Sequence, residues 1–214
     1  MKYSCLLFDL DGTLIDPGEG ITRSVAYALR KMGIDPPEKA ALYPFIGPPL
    51  EESFRELYGM DEAERRRAIA FYREYFQEKG IYENTVYEGI PSLLRVLRAR
   101  GYMLLVATSK PEPFAERILD RFGLNGYFSY VCGATLEETR TRKAEVVAWA
   151  LARAGIVPGE ALMIGDRRHD VEGARICGVS CMGVLYGYGS REELTQAGAA
   201  MLAETVEDIG HLLK

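Results

Sequence analysis

From Ala99 onward the chain alternates short apolar, β-rich runs with segments whose apolar residues recur at helical spacing. This alternation predicts βαβ units, and therefore a parallel sheet. Strands are expected at Tyr102 to Thr108, from Tyr130 to Cys132, at Ala161 to Ile164 and at Ser180 to Val184. Helices are expected from Pro111 to about Phe122, with Gly123 closing the first, and from Lys143 to Ala154, with Gly155 closing the second. Val146, Val147, Ala150, Leu151 and Ala154 form the apolar stripe of that second helix. Val171 to Cys177, Glu192 to Ala197 and Val206 to Leu213 read as further helices, and the run ending at Phe8 as a first strand.

Residues from about Asp16 to Tyr82 have helical period throughout and no convincing strand. Ile21, Val25, Leu29 and Met32 share one face of a helix ended by Gly33; Leu50, Phe54, Leu57 and Tyr58 mark a second. A third, capped by Asp61, carries Ile69, Tyr72, Tyr75 and Phe76, a stripe whose ordinary meaning is the core of a small bundle. The predicted fold is α/β, with a core of residues 1–15 and 83–214 and a helical cap of residues 16–82 inserted after the first strand. Such an insertion is placed to act as a lid over the strand ends.

The first strand ends abruptly in Asp9-Leu10-Asp11-Gly12-Thr13. A carboxylate at the carboxyl end of a parallel strand lies where open α/β sheets bind ligands, and an aspartate ionised at neutral pH attacks phosphorus without a base. Its partner two residues on is available to handle the proton. Asp-Gly after alternating residues is also a hairpin signal, and Asp-Xaa-Asp also occurs in calcium loops, so this segment alone leaves these readings open.

Three further segments bear on the choice. Thr108-Ser109 ends its strand as Asp9 ends its own, although a threonine there also serves as a helix N-cap. Lys143 opens a helix, a position that is usually solvated. Gly165-Asp166 ends another strand, and Asp170 follows on the turn that opens the next helix, where it reads equally as an N-cap. Brought together, Asp9, Asp11, Asp166 and Asp170 would repel, each close pair by about 4 kcal/mol at 4 Å and an effective dielectric of 20. They require a cation. A hard divalent ion, magnesium, suits carboxylates and phosphate better than zinc, and the chain has only two histidines. His169 and His211 read as surface.

Hydrophobic residues make up 48% of the chain and charged ones 27%, which is ordinary for a globular protein. The formal charge of −5 gives no basic footprint for a nucleic acid polymer, and Arg65 to Arg67 read as a solvated helix face. Residues 4–8 are too short for a signal or membrane segment, so a cytoplasmic protein without a membrane partner is expected. Cys5, Cys132, Cys177 and Cys181 lack a Cys-Xaa-Xaa-Cys pair and read as small side chains of the interior.

With these residues assembled, the chain resembles the haloacid dehalogenase superfamily of phosphohydrolases along essentially its whole length. The resemblance lies in Asp9 to Thr13, Thr108, Lys143 and Gly165 to Asp170, in the family's order. It implies a Rossmann-like core and a magnesium-dependent phosphatase acting on a small phosphate ester. By the same resemblance Asp9 is the nucleophile and Asp11 the general acid/base, Thr108 and Lys143 are phosphate ligands, and Asp9, the Asp11 carbonyl and Asp166 hold the metal. Asp170 supports Lys143. Ala107 to Pro111 resembles the phosphoglycolate phosphatase group, while Pro44 to Leu50 and Gly183 to Ser190 resemble a branch called 5'-nucleotidase-like. Gly47, Pro48 and Pro49 are the substrate-sensing expectation in the cap, with Ser109 a further substrate contact. A phosphoglycolate carboxylate would want a cation, for which Arg23 is the guess; a nucleotide would want an aromatic platform. A sugar phosphate mutase or a non-catalytic phosphate-binding module are the alternatives.

Overall fold

The computed structural model describes residues 3–136 and 139–213. It has two compact units, Met1–Ile15 with Val86–Lys214, and Asp16–Thr85. In chain order the larger unit opens with β1 (Cys5–Phe8), and β2 (Ile15–Asp16) marks the crossing to the smaller. That unit carries α1 (Gly18–Lys31), α2 (Leu50–Tyr58) and α3 (Glu62–Glu78), and the chain returns through β3 (Thr85–Val86). There follow α4 (Ile90–Ala99), β4 (Met103–Pro111), α5 (Glu112–Arg121), β5 (Tyr130–Ala134), α6 (Lys143–Ala154) and β6 (Ala161–Gly165). The chain closes with α7 (Arg168–Ile176), β7 (Ser180–Val184), α8 (Arg191–Ala197), β8 (Met201–Ala203) and α9 (Val206–Leu212).

The six strands of the main sheet pair in parallel in the order β5-β4-β1-β6-β7-β8. From β1 the chain steps outward through β4 to β5, then crosses to β6 on the other side of β1 and steps outward again. β1 therefore stands at the reversal, where the crevice beyond the strands' carboxyl ends opens in sheets of this kind. Phe8 is level with Val106 of β4 and Ile164 of β6, so Asp9, Ala107 and Gly165 come next on the same edge. Beneath that edge Leu7, Leu105, Met163, Val146, Val147, Ala150, Val171 and Ala174 belong to one buried cluster. The stripe read on α6 is thus the face it turns to the sheet, and each of its valine and leucine side chains contributes about 1.5–3 kcal/mol by leaving water.

In the smaller unit Ile21, Val25 and Leu29 of α1 are buried, as are Ile69, Tyr72 and Phe76 of α3. Asp61 caps α3 reciprocally with Glu64: its Oδ1 accepts the Glu64 N–H at 2.9 Å while Glu64 Oε2 accepts the Asp61 N–H at 3.0 Å. Leu57 departs from its expected inward face. Gly59, left-handed at φ 62°, stops α2 directly after Tyr58, and Phe45 packs on Phe54 and Tyr58, leaving Leu57 47% exposed.

Four elements escape the sequence pattern: α4 before the β-rich half begins, the two-residue β2 and β3, and β8 at the sheet edge, the three strands being too short to show alternation. Cys5, Cys132 and Cys181 are buried and Cys177 half-buried, all as thiols. Among the described residues no helix is long and apolar enough to cross a membrane.

Candidate active site

Asp9 extends the ladder by one residue, its N–H donating to the Ile164 carbonyl at 2.9 Å. The chain then turns, with the Leu14 and Ile15 N–H groups both donating to the Leu10 carbonyl, at 2.9 and 3.1 Å. Gly12 carries the turn at φ 81°, a region costly for any residue with a Cβ, and a Cβ there would also run into the Asp166 carboxylate. The turn therefore brings Asp9, Asp11 and Asp166 to one place. All three are buried.

Lys143 is not the solvated helix opener that its position alone suggests. Its side chain is 4% exposed, and Nζ lies 2.8 Å from Asp9 Oδ1 and 2.7 Å from Asp170 Oδ1 while donating to the Ala107 carbonyl at 3.1 Å. Burial by itself would lower its pKa, but the carboxylates of Asp170 and Asp9 outweigh burial and hold it above the ordinary lysine value. At this depth the ammonium group remains charged.

Asp170 sits at the third position of α7 and not at its N-cap. Its Oδ2 accepts the Arg167 N–H at 3.0 Å, which starts the helix three residues before the expected Val171, while Oδ1 faces Lys143. Burial pushes its pKa up to about 6 against the opposing pull of Lys143, with Asp9 adding to the rise. Asp166 is fully buried; Thr13 Oγ1 donates to one of its oxygens at 3.4 Å and the Tyr188 N–H to the other at 2.8 Å. Burial first, then the neighbouring Asp170 and Asp9, raise it well above the usual carboxylate range.

Thr108 is buried within β4, which does not end at Thr108 as expected but runs on to Pro111, where pairing with β5 resumes; its Oγ1 accepts the Lys110 N–H at 3.2 Å, and Ser109 beside it is half-buried. Lys110 itself reaches Asp11, with Nζ 2.8 Å from Oδ2. Burial raises the Asp11 pKa, and Lys110 opposes the rise. In the other unit Gly47, Pro48 and Pro49 form a half-buried turn before α2, with Gly47 at φ 103°. Arg23, offered by the sequence as a cation for a substrate carboxylate, is already paired with Glu19 at 2.5 Å and Glu83 at 2.7 Å. His169 is half-buried where surface was expected, and His211 is exposed.

Contacts from Lys110, the Tyr188 N–H and the Tyr186 hydroxyl, which donates to the Thr13 carbonyl at 2.9 Å, were not anticipated. The signals were in the chain: a lysine after Thr108-Ser109, and a Tyr-Gly-Tyr-Gly run following β7.

Asp9, Asp166 and Asp170 each offer an oxygen within 4.8 Å of the others. Lys143 and Lys110 offset two of the four carboxylates, and the two formal negative charges left match a divalent ion. Every side-chain donor is a hard oxygen, with neither histidine nor cysteine in the group, so the residues present fit magnesium.

A family model described as haloacid dehalogenase-like hydrolase matches residues 6–184. A 5'-nucleotidase of Pseudomonas aeruginosa is 50% identical over 194 residues, covering 91% of this chain and 88% of its own. The tyrosine-protein kinase PtkA of Mycobacterium tuberculosis is 37% identical over 210 residues, covering 97% and 72%. The crystal structure of a predicted phosphatase from Clostridium acetobutylicum superposes with a TM-score of 0.98 at 44% identity, over 100% of this chain and 99% of its own.

Proposed function

The chain belongs to the haloacid dehalogenase-like hydrolase family and is a phosphoric monoester hydrolase; we propose that it cleaves a small phosphorylated metabolite, with magnesium, through an aspartyl-phosphate intermediate. One observation carries this reading: the Lys143 ammonium joins Asp9 to Asp170 at the strand ends, beside Asp166 and two residues from Asp11.

Asp9, the Asp11 carbonyl and Asp166 would hold the metal. When bound, magnesium offsets the charge of the carboxylates and of the phosphate oxygens. Thr108 and Lys143 bind those oxygens, and Asp170 keeps Lys143 in place. An Asp9 oxygen attacks phosphorus in line as the bond to the leaving oxygen breaks, and Asp11 gives that oxygen its proton. Asp11 then takes a proton from water, whose oxygen bonds to phosphorus as the bond to Asp9 breaks. Inorganic phosphate leaves and Asp9 is restored.

Residues 16–82 are proposed as a specificity cap, with Gly47 to Pro49 and Ser109 as substrate contacts. A nucleoside monophosphate ranks before a phosphoglycolate-like ester. The half-identical relative is named for such a substrate, and Arg23 is engaged by Glu19 and Glu83. A cytoplasmic protein without nucleic acid or membrane partners is in keeping with the four thiols and the charge of −5.

The test is a panel of nucleoside monophosphates, phosphoglycolate and sugar phosphates with purified protein, with magnesium or with a chelator. Release of inorganic phosphate that stops on chelation is expected. An isomerised sugar phosphate without release would make the protein a mutase, and no turnover on any ester would overturn the reading.

A further inference from the structure

Lys110 has no part in the reaction as written above. Its side chain is 6% exposed, and a lysine held that deep is costly unless its charge is paired. The pair is Asp11, whose Oδ2 lies 2.8 Å from Nζ and whose own side chain is 10% exposed. Asp11 Oδ1 is buried and has no hydrogen-bond partner. The two buried lysines thus divide the carboxylates, Lys143 taking Asp9 and Asp170, and Lys110 taking Asp11.

The backbone is built to place Lys110 there. β4 pairs with β5 at Ala107 opposite Cys132 and again at Pro111 opposite Ala134, so three residues of β4 bulge against the single Gly133. Bulges re-aim side chains, and this one carries Thr108, Ser109 and Lys110. A Cβ at Gly133 would press on the Lys110 carbonyl and the Glu112 backbone, so the glycine lets β5 accept the bulge. The Gly133 N–H donates to Glu112 Oε2 at 3.2 Å, and the Lys110 N–H to Thr108 Oγ1 at 3.2 Å. The bulge is held from both sides.

We infer that Lys110 is a positioning residue for Asp11: by seating Oδ2 it fixes the carboxyl group and leaves Oδ1 to exchange the proton with the leaving group and then with water. The inference rests on Asp11 being the acid/base of the proposed reaction. The proton passes from Asp11 Oδ1 to the leaving oxygen as its bond to phosphorus breaks, and returns from the attacking water. Lys110 keeps its three protons throughout.

The experiment compares kcat/KM on an alkyl phosphate and on p-nitrophenyl phosphate, whose leaving group needs no proton, for the parent, Asp11→Asn, Lys110→Met, Lys110→Gln, Lys110→Arg and the Asp11→Asn/Lys110→Met double variant. Both substrates are read in the same preparation, so a partial loss of folded protein cancels in the ratio. Lys110→Met and Lys110→Gln should lower the alkyl rate at least about tenfold more than the aryl rate, and Lys110→Arg should recover part of it. In the double variant the lysine change should add nothing to the skew already present in Asp11→Asn. Inhibition by inorganic phosphate should stay within about twofold of the parent, since a positioning role does not bind the anion. If Asp11→Asn is skewed and the lysine variants lose both substrates equally, the positioning role is wrong while the acid/base reading stands. If the lysine change deepens the skew in the double variant, or if phosphate inhibition weakens in step with activity, Lys110 acts on the substrate and not through Asp11. If Asp11→Asn itself shows no skew, the acid/base reading fails and takes this inference with it.

Discussion

Asp170 gives its two carboxylate oxygens to different elements: one receives the opening N–H of α7, the other faces the lysine that opens α6. That seat exists only because residue 165 has no side chain; a Cβ there would collide with the Asp170 carboxyl group. Gly165→Ala should therefore displace Asp170 and cost about 1–3 kcal/mol of stability, as forced overpacking does. It should also lower kcat more than it raises KM, because Lys143 loses a partner near Asp9. Thermal melting and steady-state kinetics check both, and unchanged kcat would mean that Lys143 does not need Asp170. Asp9→Asn keeps the shape of the proposed nucleophile and removes its charge. Turnover should fall by at least about 10³-fold with melting little changed, and parental turnover at equal stability would exclude the aspartyl-phosphate route.

Among the elements, what the sequence made legible was what a local pattern carries. The helix expected from Lys143 to Ala154 is α6 to the residue, because an apolar stripe and a left-handed Gly155 define its face and its end. Asp61 could be read as a cap because capping is a three-residue event. The strand tips at Asp9 and Asp166 were legible for the same reason, an apolar run stopping at a polar residue, whereas β4 runs three residues past Thr108. Contacts set by pairing register were not. The bulge that directs Lys110 depends on which residues of β5 face β4, and the Tyr188 N–H on Asp166 joins residues 22 apart through a turn. Nor does sequence spacing say that Lys143 is buried; that follows from α6 and α7 closing around it. The cap turn gives a prediction at this scale. Gly47 lies at φ 103°, so any side chain there would strain the backbone and confuse the result; the change belongs at Pro48. Pro48→Trp should reorder natural substrates while hydrolysis of acetyl phosphate stays within a few-fold of the parent. Equal loss on all of them, at unchanged stability, would remove this turn from the specificity role.

Over the whole molecule, the buried carboxylates tie folding to pH and, through the proposed magnesium site, to metal. Asp11, Asp166 and Asp170 all hold their protons more tightly when folded than the ordinary aspartate value of 3.8, burial being the first cause in each. A carboxyl group shifted upward stabilises the fold while it is protonated. Its contribution is complete below the unfolded value and is lost as pH rises through the folded one, about 6 for Asp170. For that residue the loss is on the order of 3 kcal/mol. Lys143, shifted upward as a base, contributes below its ordinary value of 10.5 and keeps that contribution through neutral pH, so it does not cancel the loss. Glu19, Glu192 and Asp208 are shifted downward by their partners and weaken the fold as pH falls, but they are none of the strand-end carboxylates and affect the protein equally with and without metal. The difference between the two forms isolates the site. Protons compete with the ion for these carboxylates more strongly as pH falls, so magnesium should raise the melting temperature several degrees more at pH 7.5 than at pH 5. Asp166→Ala should abolish the increment at pH 7.5. A metal-induced shift that is the same at both pH values, or that survives in Asp166→Ala, would place the ion away from these strand ends.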